Sequence, residues 1–303
     1  MTLRPGDNAI PFFGQLQSNS NESFNAISTI INNFLTNRTS PVAAFAGPNC
    51  TSYPILAVGM RGLLLSVPMP PFSEQLIASL VFNSMSLIPS TKDKTVMLSA
   101  SLTIKINSPL GERSPLDIQT MDMTASLVYQ NKSVGLLSVL QVPVTKIDPI
   151  TFQTKFDNKY LMLDGTGVTY EKFAQDFINA NETNRIQFSV SGSASVAGSF
   201  ALGPLNVSGV HVDNAVSLVG LNGLSNVQVD GISVNGEDGN ALKLSINVTI
   251  NNTGITDVQL QNFSLYMADG ETGTVLGYVP IDVLAVHQGA NKVFLNGLVK
   301  FVF

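Results

Sequence analysis

The chain has no tryptophan, two histidines and a single cysteine, Cys50, among 303 residues. One cysteine excludes an intrachain disulfide. Charge is also scarce. Asp, Glu, Lys and Arg make up 12% of the chain, against about 25% in an ordinary globular protein. The net charge of −5 comes without a basic cluster, so the electrostatic footprint of a nucleic-acid binder is missing. A bilayer span needs about 20 clean apolar residues. The most apolar stretch, PILAVGMRGLLLSVPMPPF, is broken by Arg61, Pro68, Pro70 and Pro71. No basic n-region followed by an apolar h-region opens the sequence, so no signal peptide is expected in these residues.

The chemistry of catalysis is equally sparse. His211 and His287 each sit in an alternating strand pattern, and no Cys or second His stands at a zinc spacing. Cys50 lies in a Pro/Gly/Ser/Thr loop with no identifiable base or orienting partner. A free thiol, or one paired between molecules, is the expectation. The segment DGISVNGEDGN at 230–240 is rich in oxygen ligands but lacks the order and distal Glu of a calcium loop. Asn235-Gly236 and Asp238-Gly239 read there as turns. No catalytic residues, metal or cofactor are expected, and the chain does not read as an enzyme.

What is present is apolar and uncharged-polar. Hydrophobic residues make up 44% and mean hydropathy is +0.24, which argues against a disordered chain. Asn-x-Ser/Thr occurs at Asn21, Asn37, Asn49, Asn131, Asn181, Asn206, Asn247, Asn251 and Asn262. Composition alone would give roughly four or five such triplets. The excess points to a glycoprotein of the extracellular space or of the vacuolar or secretory lumen. The alternative is an Asn/Ser/Thr-rich β-protein whose triplets are never modified.

The sequence also repeats itself. Gly-x-Asn-x-(Ile/Val)-x-(Phe/Leu)-x-Gly occurs in RPGDNAIPFFG near one end and in HQGANKVFLNG near the other. Asn8 and Asn291 stand 283 positions apart, two periods of about 141. LSASLTIKIN from Leu98 matches LSINVTINNT from Leu244 at an offset of 146. Ala125–Val128 matches Phe263–Tyr266 at 138, and Asn37-Arg38 matches Asn184-Arg185 at 147. The expected division is 1–72 as the second half of a repeat, 73–220 as a whole repeat, and 221–303 as the first half of another.

Within a repeat, the strands show period two. Leu242, Leu244, Ile246, Val248 and Ile250 share one face, while Asn247 and Asn251 point the other way. Hairpins are expected at 130–133 and 268–273, which puts Asn131 on a hairpin tip. A parity change marks a bulge at Ser208-Gly209. Helical spacing appears in ESFNAISTIINNFL and in TYEKFAQDFINA, where Thr169 is the expected N-cap. The fold class expected is all-β: tandem fibronectin- or immunoglobulin-like antiparallel sandwiches of about 140 residues, each with one short packed helix.

TLRPGDNAIPFFGQL, the helix after it, and the strand patterns LSASLTIKINSP and LSINVTINNTG resemble a fungal family of membrane-tethered proteins with tandem lumenal repeats. That family includes a yeast vacuolar-membrane protein implicated in terminating autophagy. Its repeats are similar to the type-2 late-embryogenesis-abundant (water-stress) domain. The resemblance implies a fibronectin-like sandwich, a vacuolar or secretory location and a membrane anchor outside these residues. It also implies lipid binding, and it brings no catalytic residues.

Two functions compete at this level. The first is a non-enzymatic structural or interaction protein, in which half-repeats at the two ends pair with neighbouring repeats or complement one another between molecules into a head-to-tail filament. The second is lipid binding or transfer, through an apolar groove between helix and sheet. Its candidate lining is Phe24, Ile27, Ile31 and Phe34, with Phe173 and Phe177 in the whole repeat.

Overall fold

A computed structural model describes residues 20–45, 53–109, 116–200, 203–224, 227–239, 241–268 and 270–300. Strands hold 65% of these residues and helices 14%, so the protein is mostly β against a usual strand share of about 20–25%. The opening element RPGDNAIPFFG lies outside the described residues, as do Asn49 and Cys50.

The chain begins with helix α1 (Asn21–Leu35), strand β1 (Ser40–Phe45), the short helix α2 (Pro54–Met60) and β2 (Leu64–Met69). Seven long strands follow: β3 (Ile77–Pro89), β4 (Thr95–Ile106), β5 (Asp117–Tyr129), β6 (Lys132–Asp148), β7 (Thr151–Leu163), β8 (Ile186–Phe200) and β9 (Gly203–Leu218). Helix α3 (Val168–Asn179) sits between β7 and β8. A 3-10 turn at Asn222–Leu224 leads to β10 (Val227–Asp238), β11 (Ala241–Asn252), β12 (Thr256–Ala268), β13 (Val275–Val286) and β14 (Gly289–Lys300).

Nine strands join in one sheet, in the order β13-β12-β3-β4-β7-β6-β5-β8-β9. β10, β11 and β14 form a second sheet, and β1 pairs with β2 alone. Every pairing is antiparallel except a short stitch, where Thr256–Val258 of β12 run parallel to Met85–Leu87 of β3. The nine-stranded sheet curls until β9 returns against β3. There the Gln75 side chain donates to the Asp213 carbonyl at 3.2 Å, and Phe82 meets Phe188 with ring centroids 6.0 Å apart. Period-two alternation makes the enclosed volume apolar. Leu98, Leu102, Val139, Phe152, Leu161, Val207 and Val212 are all at most 1% exposed. A fully buried side chain of this size contributes about 1.5–3 kcal/mol over its exposed state, which is what offsets the ordering of such long strands.

Helix α3 is too short to be stable alone and is held by aromatic packing. Phe173 stands edge-on to Tyr129 at 5.5 Å and to Phe188 at 5.6 Å, and stacks beside Phe177 at 6.3 Å. Its N-cap is Gly167 at φ 82°, not Thr169, which lies in the first turn. The left-handed cap geometry there suits glycine. Helix α1 starts in a capping box, with Ser23 N–H donating to Ser20 Oγ and Ser20 N–H donating to Ser23 Oγ. It packs along β9, where the Ser208 N–H donates to Asn32 Oδ1 at 2.9 Å. That N–H is turned outward by a bulge at Gly209, φ 77°, in the place the parity change indicates.

Pairing geometry recurs along the chain. Leu80, Phe82, Met85 and Leu87 of β3 face Ile104, Leu102, Ala100 and Leu98 of β4. Val227, Val229, Ile232 and Val234 of β10 face Ile250, Val248, Ile246 and Leu244 of β11 in the same order. Each residue lies 146 or 147 positions beyond its counterpart. The register slips at Asn83 in the first pair and at Asp230 in the second. Both bulge residues bond the equivalent threonine across the pair, Asn83 with Thr103 and Asp230 with Thr249. Asn235-Gly236 is a further bulge inside β10 and not a turn; only Asp238-Gly239 turns the chain. Continuous pairing to β11 outweighs the local turn preference. A smaller core of Leu244, Val248, Val279, Ile281, Leu284, Val286 and Leu295 forms where β11 and β14 meet β13.

Candidate interaction surface

β10 is an edge strand of its sheet. Its apolar row faces solvent: Val227 is 42% exposed, Val229 54%, Ile232 57% and Val234 62%. The counterpart row on β3 is buried, with Leu80 at 5%, Phe82 at 8%, Met85 at 2% and Leu87 at 7%. The sequence pattern is alike; the surroundings differ. In the β3 case, β8 and β9 close over the row. Among the described residues nothing closes over β10. A row of exposed aliphatic side chains on an unpaired edge is unusual for an isolated fold, which ordinarily blunts such edges with charge, proline or short length.

The β1–β2 pair, whose strands are joined through α2, presents the reverse situation. Ser40 pairs with Met69, as Gln187 pairs with Ser217 in β8–β9. In β8–β9 the next pairs, Phe188 with Val216 and Val190 with Asn214, face the interior and are buried. In β1–β2 the next pairs on that face, Pro41 with Pro68 and Ala43 with Ser66, are exposed. Leu64 at the end of the same face is 66% exposed.

An apolar pocket of about 300 Å³ lies beneath α1. Ile31, Phe34 and Leu35 roof it; Met69, Leu76, Ile106, Leu116, Phe200 and Leu205 form much of the rest. A void of about 30 Å³ leads inward from it and shares Leu35, Leu76, Ile106 and Leu116. Among these lining residues, Leu116 accepts from the Lys146 ammonium through its carbonyl at 2.7 Å. Of the six candidate groove residues, Ile31 and Phe34 reach this pocket. Phe24 instead stands over Gly203, and Ile27 is buried at 7% exposure. Phe173 and Phe177, at 2% exposure each, are core of the β3–β9 body. Their helix is pressed against Tyr129 and Phe188, leaving no groove beneath it. Helical spacing reports that a face is buried, not whether a space remains under it.

The triplet asparagines are largely on the surface. Asn21 starts α1, Asn37 follows it at φ 59°, and Asn131 sits at φ 61° on the two-residue tip between β5 and β6. Asn206, Asn247 and Asn251 lie on outward strand positions and are exposed. Asn181 is half-buried; its Oδ1 accepts from Thr183 N–H, Thr183 Oγ1 and Asn184 N–H, a local turn. Asn262 lies in β12, with its side chain outside the described residues.

Polar chemistry is limited. His287 approaches Asp257 at 3.3 Å in a cleft of about 340 Å³ that also holds Lys155 and Asp157. His211 is on the outer face of β9. Among the described residues no three metal-ligating side chains cluster, and no helix is long and apolar enough to cross a membrane. The strongest polar network is structural. Tyr129 donates to Asp176 at 2.7 Å, and Lys172 donates to the other carboxylate oxygen at 2.6 Å. Bonds from Lys172 and then Tyr129 hold the Asp176 carboxyl below the usual range. Burial, then the bond to Asp176, pushes the Tyr129 phenol up.

A family model described as a protein of unknown function, DUF3712, matches residues 135–267. The match runs from β6 to β12 and includes strands from both cores. No curated protein matches the chain. Among solved structures, a DUF4785 family protein from Legionella pneumophila aligns with 70% of this chain at 13% identity and a TM-score of 0.18. The chain spans about half, 49%, of that protein's length.

Proposed function

We propose that this chain is a non-enzymatic structural and interaction protein, built from tandem fibronectin-like sandwich repeats and glycosylated outside the cytosol. The observation that carries the reading is the contrast between β3 and β10, where one pairing register supports a buried row in one copy and an open row in the other. On this reading 73–220 is a whole repeat, while 1–72 and 221–303 are half-repeats whose open faces are binding surfaces. The outward asparagines fit a glycan-coated molecule. The test of the compartment is the mass of the protein from its native source before and after peptide N-glycosidase treatment. Glycan loss from several of the exposed sites is expected; nine unmodified asparagines would refute a secretory or vacuolar location.

A second reading, lipid binding, is favoured by the pocket beneath α1. Its volume is at the lower end of the ~300–1,000 Å³ typical of ligand sites. Its lining is almost wholly apolar, as an acyl chain would require. A fluorescent fatty acid should bind with low-micromolar affinity, and Leu35→Trp should abolish binding by filling the space. Equal fluorescence with the wild type and the Trp variant would dismiss this pocket as the site.

A further inference from the structure

We infer that the first N-acetylglucosamine of a glycan on Asn247 packs on the ring of Phe294, on the outward face of the sheet formed by β10, β11 and β14. The inference rests on the glycoprotein reading and gives one sugar a place in the fold. Asn247-Val248-Thr249 is a glycosylation triplet, and Asn247 is exposed on β11, the central strand of that sheet. On one side it pairs directly with Phe294 of β14, and on the other with Gly231 of β10. Directly opposed residues of an antiparallel pair project to the same face, with Cβ atoms about 4.5–5.5 Å apart. The neighbouring pairs on that face are polar, Ser245 with Asn296 and Thr249 with Lys292. Phe294 brings a ring into this polar face and is 60% exposed. Gly231 follows the Asp230 bulge, and a Cβ on it would meet nothing within 4 Å. A pyranose on Asn247 therefore has an aromatic wall on one side and clearance on the other. The linkage forms when Asn247 Nδ2 gives up a proton and bonds C1 of the sugar, as a lipid diphosphate leaves the donor. The C–H face of the sugar then meets the negative face of the phenyl ring, and the contact takes apolar area out of water. Asn251 supplies the contrast in the same strand. It is a triplet residue on the same face, but it pairs with Ala290 and has no ring opposite.

The full chain, directed into the secretory pathway of a yeast host and trimmed with endoglycosidase H, keeps one N-acetylglucosamine on each modified asparagine. Glycopeptide mass spectrometry should find Asn247 among the occupied sites. With isotope-labelled sugar, the proton resonances of the Asn247 sugar should lie upfield of those at the other sites, because they sit over a ring. They are identified by their loss in Asn247→Gln, and in Phe294→Leu they should return to the position of the others. The trimmed wild type should melt a few degrees above Asn247→Gln, and in a Phe294→Leu background that gap should vanish. Asn251→Gln should leave both the resonances and the gap as they are. Asn247 and Phe294 are exposed, so these variants keep the fold, and matching circular dichroism spectra check it. An occupied Asn247 whose sugar resonates with the others, or a gap that survives Phe294→Leu, overturns the inference and leaves the glycoprotein reading standing. An unmodified Asn247 beside other modified sites does the same. Sugar on none of the triplet asparagines overturns both.

Discussion

Two single positions show how closely side chains and backbone are fitted. A Cβ on Gly220 would stand 1.7 Å from the Phe177 carbonyl oxygen and 2.9 Å from the Ala180 Cβ. Both belong to the end of α3, so Gly220→Ala must push the helix off the body. A loss of about 1–3 kcal/mol is expected, read as a lowered urea midpoint at unchanged slope. The Tyr129–Asp176–Lys172 network ties the same helix to β5. Tyr129→Phe removes a bond to a charged group and should cost about 1.5–3 kcal/mol. Asp176 has its folded pKa lowered, so its contribution is present above the unfolded value near 3.9 and fades as pH falls through that value and then the folded one. Tyr129 has its folded pKa raised, so its contribution is intact below about 10 and fades as pH rises beyond it. Thermal melts of the wild type should therefore fall on both flanks, and those of the Tyr129→Phe variant less steeply on each. None of this network is visible in the sequence, because Tyr129 and Asp176 are partners through folding alone.

At the level of elements, much was legible. Period two marks β4 and β11 because one face of each meets a core, and helical spacing marks α1 and α3 for the same reason. Gly209 announces its bulge through the parity change. Local chemistry misled where pairing overrode it. Asn235-Gly236 has turn composition yet lies inside β10, and Thr169 has cap composition although Gly167 does the capping. Phe173 and Phe177 carried the same spacing as the pocket-lining residues of α1 but are filled in on every side. The equivalence of β3 and β10 gives a direct comparison. Leu87→Thr, in the closed copy, should lose about 2–3 kcal/mol through buried apolar loss and an unsatisfied hydroxyl. Val234→Thr, at the matching place in the open copy, should stay within about 0.5 kcal/mol. Denaturant unfolding of the two variants at a concentration where the chain is monomeric checks this, and equal losses would mean that β10 is covered after all.

For the molecule as a whole, the matched pairing of β3–β4 and β10–β11 was readable because each pair brings an apolar row onto one face, so the spacing survives changes of residue. The offset of 146 between Leu98 and Leu244 reappears in the β3–β4 and β10–β11 registers. What could not be read was closure. Nothing in the alternation of β3 and β9 says that the sheet will curl until they touch, or that α1 will roof a space at its end. These follow from long-range packing, in which sequence distance exceeds a hundred residues. The helix side of the pocket was expected from Ile31 and Phe34, but the rest of its wall was not, since Met69, Phe200 and Leu205 have no shared pattern. Limited proteolysis should reflect the unequal closure. The β3–β9 body, with the larger core, should outlast β10–β14, and the first stable fragment seen by mass spectrometry should end before residue 240.

The parallel stitch between β12 and β3 gives the molecule a mechanical character. Its two bodies share three residue pairs, Thr256–Val258 against Met85–Leu87, reinforced by the Met85 N–H bond to the Ile255 carbonyl. Each body internally holds pairs of strands bonded over ten residues or more. A load applied along the chain meets the short stitch before it meets the long ladders. The stitch therefore yields first, and it lets the bodies swing apart while both stay folded. Extension would then come from this joint opening before either long ladder is lost.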